Sequence, residues 1–451
     1  MKRKIYQKLV EWKNEEHGES ALLIEGARRV GKSWIAEEFA KNEYDAHLVL
    51  DFSLVGNDIK ALFSNYLYDL DIFFSKLLNA LNVRLPVRRS LVVFDEVQLF
   101  PRAREAIKAL VADGRYDYIE TGSLMSIKEN TTGILIPSEE THLKMYPMDF
   151  EEFLWAMGND GMMEAIREAF QARKPMGAAL HRRAMDLFRE YMVVGGMPQS
   201  VAKYVAGRNL KAADREKRRI LALYRDDIAR QAGRYAGKVR KIFDELPSAL
   251  SRHEKRFVLS ALGKDVKMRS YEDAFLWLED AMVVNTCYNA TEPNVGLRLN
   301  RDSSSFKCYM ADTGLLVSHA FDEHALAAEE VHRRILLDKI DLNKGMLIEN
   351  VVAQMLVAAG KPLYFFSRYD KGDSSGTMEI DFLMAKSKIG RRRNISPIEV
   401  KSGKNYTTAS LDKFCTRYKM QTCDPVIVHA GDFSVKDGIS RIPLYMVPLL
   451  V

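Results

Sequence analysis

The sequence Gly26-Ala27-Arg28-Arg29-Val30-Gly31-Lys32-Ser33 lies between an apolar run at residues 21–25 and residues 34–41, where apolar side chains recur at helical spacing. A strand, a glycine-bounded loop and a helix in this order are typical of a phosphate-binding loop. The glycines let backbone N–H groups wrap around phosphates, and the N-terminus of the helix adds positive dipole. We therefore expect a nucleotide to be bound by Gly26, Ala27, Arg28, Arg29, Val30, Gly31, Lys32, Ser33 and Trp34.

Two residues of this loop and two residues of a second motif are expected to contact phosphate, bind Mg²⁺ or activate water. Lys32 is expected to reach the terminal phosphates, and the Ser33 hydroxyl to ligate Mg²⁺. The second motif, Ser90-Leu91-Val92-Val93-Phe94-Asp95-Glu96, reads as a buried strand that ends in two carboxylates. Ligands of open α/β sheets bind at the carboxyl ends of strands. We therefore expect Asp95 to hold Mg²⁺ and Glu96 to orient the water that attacks the γ-phosphate.

A third strand, predicted at residues 116–120, ends in Thr121-Gly122-Ser123. Ser123 or Thr121 is a candidate to contact the γ-phosphate, and a plain turn at the end of the strand is the alternative. Together with residues 47–52, these strands alternate with helices, which predicts a parallel sheet between helices. The predicted fold class is therefore α/β, with a nucleotide-binding domain at residues 1–155.

Four motifs resemble those of one family. They are Gly26 to Ser33, Phe94-Asp95-Glu96-Val97-Gln98 with Pro101-Arg102, Thr121-Gly122-Ser123-Leu124, and Tyr146-Pro147-Met148-Asp149-Phe150-Glu151-Glu152-Phe153. With them the chain resembles the prokaryotic AAA-type P-loop ATPases of largely unassigned role, which carry an uncharacterised C-terminal region. The resemblance spans nearly the whole chain. The resemblance agrees with ATP and Mg²⁺ as the expected cofactors, and the candidate catalytic residues are Glu96, Lys32 and Ser123.

A helical subdomain is predicted at residues 156–235, which are rich in Ala, Met, Arg and Glu at helical spacing. Asp149 and Glu152 form a capping pair that starts a helix just before it. Arg225 and Arg230 could reach a γ-phosphate in this chain or in a neighbouring subunit. The alternative is that both arginines are solvated or paired.

The region 236–330 changes to helices followed by two strands. The predicted elements are helices at 239–251, broken at Pro247, and at 271–280, and strands at 282–288 and 306–310 around a polar loop at 289–305. This order is typical of a winged helix-turn-helix, and the resembling family has one here. Lys264, Lys267 and Arg269 are candidates to touch DNA phosphates, although such domains often mediate protein contacts only.

The last region, residues 335–451, has a nuclease-like set of charged residues. Predicted helix 345–359 carries Glu349, and predicted strands at 363–367, 378–384 and 396–401 carry Asp381, Glu399 and Lys401. An Asp on one strand and Glu-x-Lys on its neighbour share a sheet face, as in the restriction-endonuclease-like nucleases, which this region resembles. There Asp381 and Glu399 would bind Mg²⁺, Lys401 would position or deprotonate the water, and Glu349 would add a carboxylate. The run Arg391-Arg392-Arg393 is either a phosphate contact or a solvated loop.

Length and composition exclude several protein classes. The 451 residues, 47% of them hydrophobic and 28% charged, favour about three globular domains over long disordered segments. We find no apolar window of the ~18 residues that a membrane-spanning helix needs, and no secretory signal. The four cysteines are too scattered for a disulfide framework or a zinc site, so we expect reduced thiols in a cytoplasmic protein: Cys287, Cys308, Cys415 and Cys423. The net charge of +6 permits a polyanionic partner without requiring one.

Three functional hypotheses follow. The leading one is an ATP-hydrolysing machine whose nucleotide state controls the attached winged-helix and nuclease-like domains on DNA or RNA. The first alternative is a metal-dependent nuclease that ATP regulates. The second is an ATP-switched scaffold for partner proteins, with a degenerate nuclease fold. A protein partner or a homo-oligomer stays open under all three hypotheses, and no membrane partner is expected.

Overall fold

A computed structural model describes residues 1–123, 137–252, 257, 268–294, 296–321, 325–339, 344–369, 376–386, 394–403 and 405–451. The chain forms two compact units. The N-terminal unit comprises residues 1–146 with 280–282, and the C-terminal unit comprises residues 147–279 with 283–451. In the described part of the chain, no helix has both the length and the apolar character needed to cross a membrane.

The N-terminal unit is a five-stranded parallel sheet with helices on both faces. The strand order is β2-β3-β4-β1-β5, and every neighbouring pair is parallel. The strands are β1 (Ala21–Glu25), β2 (Ala46–Asp51), β3 (Ser90–Asp95), β4 (Asp117–Gly122) and β5 (Glu140–Lys144); the helices are α1 (Ile5–Glu16), α2 (Lys32–Glu43), α3 (Asn57–Asn65), α4 (Leu70–Leu81) and α5 (Pro101–Asp113). The predicted α/β class with a parallel sheet is confirmed for this unit.

The apolar run in β3 explains how the sheet is buried. All residues of β3 are buried, as expected for a parallel strand that helices cover on both faces. Val92 and Phe94 belong to the core beneath α3, α4 and α5, whereas Leu91 and Val93 belong to the core beneath α1 and α2. Both cores therefore hold the same sheet in place. At its carboxyl edge, β1 is followed by the glycine-bounded loop, and β3 ends at Asp95, the first residue of the acidic pair.

The C-terminal unit begins with a run of helices. They are α6 (Phe150–Ala156), α7 (Asp160–Ala172), α8 (Ala178–Val194), α9 (Pro198–Val205), α10 (Leu210–Gln231), α11 (Ala236–Ser251) and α12 (Glu272–Asp280). The predicted capping pair starts α6: Asp149 accepts from the backbone N–H of Glu152, and the Glu152 side chain accepts from the N–H of Asp149. The predicted break at Pro247 is wrong, because α11 continues to Ser251. An interior proline costs a helix about 3 kcal/mol, and the buried apolar face of α11 offsets this.

Among the described residues, two sheets and four helices complete the C-terminal unit. The helices are α13 (Thr313–Ala320), α14 (Ala325–Leu336), α15 (Lys344–Ala358) and α16 (Ala409–Arg417). The first sheet has the order β7-β6-β8-β9, with β6 (Val284–Ala290), β7 (Arg301–Met310), β8 (Leu363–Arg368) and β9 (Met378–Ile380). The second has the order β10-β11-β12-β14-β13, with β10 (Phe382–Ala385), β11 (Ile395–Val400), β12 (Val426–His429), β13 (Ser434–Lys436) and β14 (Ile439–Pro443).

The hairpin predicted as a wing is part of the first sheet. β6 pairs with β7 in antiparallel register and with β8 in parallel register, so that Cys287 lies opposite both Lys307 and Leu363. The polar loop is shorter than predicted, since β7 already begins at Arg301. The strand predicted at 378–384 is divided into β9 and β10 at Asp381, the residue between the two sheets.

Candidate functional site

The glycine-bounded loop connects β1 to α2, as the sequence predicts. Gly26 needs to be glycine, because a Cβ there would lie 2.4 Å from the backbone oxygen of Met145. Arg29 and Gly31 have positive φ angles of 70° and 102°, which turn the loop sharply into the first residue of α2. The side chains of Arg28, Arg29, Ser33 and Trp34 are exposed, so they face solvent beside the loop.

Lys32 is the first residue of α2 and is buried, with 6% of its surface exposed. Its Nζ donates hydrogen bonds to the backbone oxygens of Gly26, at 2.9 Å, and Ala27, at 3.2 Å. Burial lowers the pKa of Lys32 to about 8, against the attraction of Glu96 and Asp95, which favours the charged form. The lysine therefore lies inside the loop, near both carboxylates of the acidic motif.

Asp95 ends β3 and connects the loop to the neighbouring strand. Its carboxylate accepts hydrogen bonds from the hydroxyls of Thr121, on β4, and Ser33, on α2. Burial raises the pKa of Asp95, and these two hydrogen bonds act against the shift. A carboxylate and hydroxyl oxygens together are the donors that Mg²⁺ prefers, so the residues present fit this ion.

Glu96 adopts a left-handed conformation with φ of 54°, directly after β3. Its backbone N–H donates to the Thr121 hydroxyl at 3.3 Å, and its side-chain Oε2 accepts a hydrogen bond from Gln98 Nε2. Thr121, one of the two hydroxyls considered from the sequence, thus bridges Asp95 and Glu96. Ser123, the other one, follows β4 and is half-buried.

Two residues near the loop were missed by sequence reasoning. Gln98 was recognised only as part of a family motif, and its contact with Glu96 depends on the turn that follows β3. Arg3 lies in a basic N-terminal stretch that suggests an exposed position, yet it is 6% exposed. Its guanidinium donates to the backbone oxygens of Val30, at 3.0 Å, and Tyr146, at 2.7 Å. Arg3 therefore connects the loop to Tyr146, which lies shortly after β5.

The four residues of the predicted nuclease-like site have different hydrogen-bond partners. Glu399 of β11 accepts a hydrogen bond from Lys401 Nζ at 2.5 Å. Asp381 accepts from the backbone N–H of Val400 at 2.8 Å, and Glu349 of α15 accepts from the Tyr309 hydroxyl at 3.2 Å. Among the described residues, no three histidine, cysteine or acidic side chains are placed to hold a metal ion together.

A lysine that sequence reasoning missed lies beside Asp381 and Glu349. Lys307 of β7 has 1% of its side chain exposed, and its Nζ is 2.8 Å from Glu379 Oε1 and 3.7 Å from Asp381 Oδ1. Burial acts to lower the pKa of Lys307, but the charges of Glu349, Asp381 and Glu379 outweigh it and raise the pKa above its usual range. We call Glu349, Glu379 and Asp381 the carboxylate cluster.

The other basic residues that the sequence suggested as phosphate contacts differ in their surroundings. Arg225 contacts Asp244 at 3.5 Å and His319 at 3.4 Å, both within the C-terminal unit, and Arg230 is exposed. Arg269 belongs to a short 3₁₀ turn before α12. Lys264, Lys267 and the run Arg391-Arg392-Arg393 lie outside the described residues.

Three parts of the sequence match family models. Residues 18–154 match the AAA domain, residues 185–324 match a domain of unknown function (DUF8612), and residues 344–447 match another domain of unknown function (DUF4143). The parallel sheet and the loop described above thus lie in the region that is similar to the AAA domain. No curated protein matches the sequence.

Solved structures with partial similarity include the following three. The Walker-type ATPase PABY2304 of Pyrococcus abyssi is 14% identical, with a TM-score of 0.39 over 70% of this chain and 95% of that one. Drosophila ORC bound to DNA is 12% identical, with a TM-score of 0.28 over 67% and 91% of the two chains. The S. cerevisiae Hsp104–ADP complex is 13% identical, with a TM-score of 0.27 over 78% and 43%.

Proposed function

We propose that the N-terminal unit binds ATP with Mg²⁺ and hydrolyses it at the carboxyl end of β3. The observation that carries this proposal is the pair of hydrogen bonds that joins Asp95 to Ser33 of the loop and to Thr121 of β4. These contacts bring together the oxygen donors and the buried Lys32 that a magnesium nucleotide requires. The match of residues 18–154 to the AAA domain supports ATP as the nucleotide.

Each residue of the loop has a separate role in this proposal. Lys32 exchanges its carbonyl partners for phosphate oxygens, since charge-assisted hydrogen bonds are stronger than neutral ones. Ser33 and Asp95 hold Mg²⁺, which neutralises charge on the phosphates when bound. The backbone N–H groups of residues 26–31 bind phosphate oxygens at the N-terminus of α2, and Arg28, Arg29 and Trp34 complete the pocket.

Glu96 orients and polarises the attacking water in this proposal. Gln98 and Thr121 hold Glu96 from two sides, one through its carboxylate and the other through its backbone N–H. A general base must be held within hydrogen-bond reach of the proton it takes, which is the role of these contacts. Thr121 and Ser123 both stay candidates for the hydroxyl that contacts the γ-phosphate.

The C-terminal unit is the part that we propose the nucleotide state to control. One chain carries an AAA-type domain and two domains of unknown function, which supports a machine in which ATP turnover drives an attached module. We propose DNA, RNA or a protein partner, including a second copy of the chain, as the target. The helical subdomain at 156–235, the winged helix at 236–330 and the nuclease-like domain at 335–451 are proposed divisions of this unit.

Measurements of ATP turnover with added nucleic acid test whether DNA or RNA is the target of the C-terminal unit. The full chain is assayed alone and with double-stranded DNA, single-stranded DNA or RNA. A nucleic-acid target predicts a faster rate with at least one of them, with the effect weakening as salt increases. Equal rates under all four conditions contradict a nucleic-acid target and leave the protein partner as the remaining proposal.

Phosphate release by a Glu96 variant tests the hydrolytic site. Glu96→Gln keeps the shape of the side chain and removes the base, so we expect turnover to fall by about 10²–10⁴-fold while ATP still binds. Glu37→Gln is the matched control, because Glu37 lies on the exposed face of α2 and is paired with Lys41. An unchanged rate in Glu96→Gln contradicts the assignment of the base.

A further inference from the structure

The carboxylate cluster of the C-terminal unit already contains a cation. Lys307 Nζ lies 2.8 Å from Glu379 and 3.7 Å from Asp381, and it is buried with 1% of its side chain exposed. The third member, Glu349, is itself buried with 6% of its surface exposed, and its negative charge acts on the same ammonium. A lysine buried this deeply cannot swing out to solvent without breaking the core around β7.

Two further hydrogen bonds engage carboxylates of the cluster. Asp381 Oδ2 accepts the backbone N–H of Val400, and Glu349 Oε2 accepts the Tyr309 hydroxyl. Glu399, which the nuclease interpretation pairs with Asp381, accepts instead from Lys401 at 2.5 Å. One oxygen each of Asp381, Glu349 and Glu399 is therefore engaged by an N–H, O–H or ammonium donor, whereas Glu399 Oε2 is buried without a hydrogen-bond partner among the described residues.

We infer that Lys307 is the resident cation of the carboxylate cluster, so that this cluster does not take the divalent metal that a restriction-endonuclease-like reaction requires. A second cation placed against Asp381 would face the Lys307 ammonium where little water screens the repulsion. The C-terminal unit is therefore not expected to cleave nucleic acid with a metal held by this cluster. This inference concerns the C-terminal unit and does not depend on ATP hydrolysis in the N-terminal unit.

Mn²⁺ binding to the full chain without nucleotide tests the inference. Mn²⁺ is followed by the loss of the free-ion electron paramagnetic resonance signal for the wild type, Asp381→Asn and Lys307→Met. We expect the wild type and Asp381→Asn to bind Mn²⁺ equally, because the cluster contributes nothing. Removal of the ammonium in Lys307→Met is expected to tighten Mn²⁺ binding by at least about tenfold, and the added change Asp381→Asn is expected to cancel this gain.

Controls separate this effect from a general loss of buried charge. Lys217→Met removes another lysine with 1% exposure from the same unit and should leave Mn²⁺ binding unchanged. Stronger Mn²⁺ binding by the wild type than by Asp381→Asn would overturn the inference, and so would a folded Lys307→Met that gains no site. If Lys307→Met does not fold, the comparison of the wild type with Asp381→Asn still decides the question.

Cleavage assays give a second readout with independent substrates. The full chain is incubated with DNA and RNA, single- and double-stranded, in Mg²⁺ or Mn²⁺. We expect no cleavage beyond that of Glu399→Gln prepared in the same way. Cleavage by the wild type that both Glu399→Gln and Asp381→Asn abolish would overturn the inference.

Discussion

At the scale of single residues, the buried ammonium of Lys32 determines how the nucleotide site responds to pH. The lysine donates to two carbonyl oxygens, and burial lowers its pKa to about 8. A bound phosphate supplies negative charge and raises this pKa again. Nucleotide binding is therefore coupled to proton uptake in the range above pH 8.

We predict that the affinity for ATP falls as the pH rises through this range. With one proton taken up on binding, the dissociation constant should increase by up to about tenfold per pH unit above the pKa of free Lys32. Calorimetry at pH 8.5 in buffers of different ionisation enthalpy measures the proton directly. Proton release, or an affinity that is constant from pH 7 to pH 9.5, would show that the Lys32 ammonium does not bind the phosphates.

Gln98 gives a second prediction at this scale. Gln98→Ala removes the donor that holds the Glu96 carboxylate, so we expect kcat to fall by about tenfold with little change in KM. In a Glu96→Gln background the same change should have no further effect, because the two residues act together. Gln7→Ala on the exposed face of α1 is the control. If Gln98→Ala lowers kcat by the same factor in the Glu96→Gln background as in the wild type, Gln98 does not act through Glu96.

At the scale of secondary-structure elements, the sequence predicts the local pieces well. β1, the loop and β3 are recognisable because a buried parallel strand reads as a continuous apolar run, and a phosphate-binding loop has fixed glycine spacing. The tie formed by Arg3 was not predictable, since its two acceptors are backbone oxygens at Val30 and Tyr146, far away in the sequence. Because every residue has a backbone oxygen, the identities of Val30 and Tyr146 do not show that they accept these hydrogen bonds.

The role of Arg3 predicts a stability effect. Arg3→Ala leaves the Val30 and Tyr146 oxygens without this donor, which should lower the free energy of unfolding by about 1–3 kcal/mol. Urea unfolding followed by circular dichroism measures the change, and ATP affinity should fall in parallel. Lys8→Ala, an exposed position on α1, serves as the comparison. Identical unfolding midpoints for the wild type and Arg3→Ala would mean that the tie has no role in stability.

The hairpin of β6 and β7 shows why strand partners are harder to predict than strands. Both strands are visible in the sequence, but the pairing of Cys287 with Leu363 joins residues far apart in the chain. The sequence likewise indicated Asp381, Glu399 and Lys401 but not Lys307, because the lysine comes from β7, outside the predicted nuclease-like region. The fold therefore places Lys307 beside Asp381, although the two residues are far apart in the sequence.

A close approach of two elements in the C-terminal unit gives another prediction. A Cβ on Gly314, at the start of α13, would lie 2.5 Å from the backbone of Gly195, which follows α8. Gly314→Ala should therefore destabilise the fold by about 1–3 kcal/mol or more, because backbone atoms cannot give way cheaply. Gly237→Ala in α11 has open space at its Cβ and should be neutral or slightly stabilising. Equal thermal midpoints for these two variants would contradict the close packing.

At the scale of the whole molecule, the chain combines an AAA-type domain with two matched regions of unknown function. The class of the N-terminal unit was predictable because its motifs are local and specific. The surroundings of Asp381 in the C-terminal unit were not predictable, because the buried Lys307 beside it comes from β7, outside the predicted nuclease-like region. The proposed control of the C-terminal unit by nucleotide therefore depends on the proposed ATP site.

Calorimetric titration of ATP with Mg²⁺ into the full chain tests whether the N-terminal unit binds a magnesium nucleotide at Lys32. We expect one site in the wild type, about 10²-fold weaker binding in Lys32→Ala because a charge-assisted contact to the phosphates is lost, and unchanged binding in Lys41→Ala on the exposed side of the same helix. A titration of the folded wild type without heat of binding, or equal affinity in Lys32→Ala, would contradict ATP binding at this site.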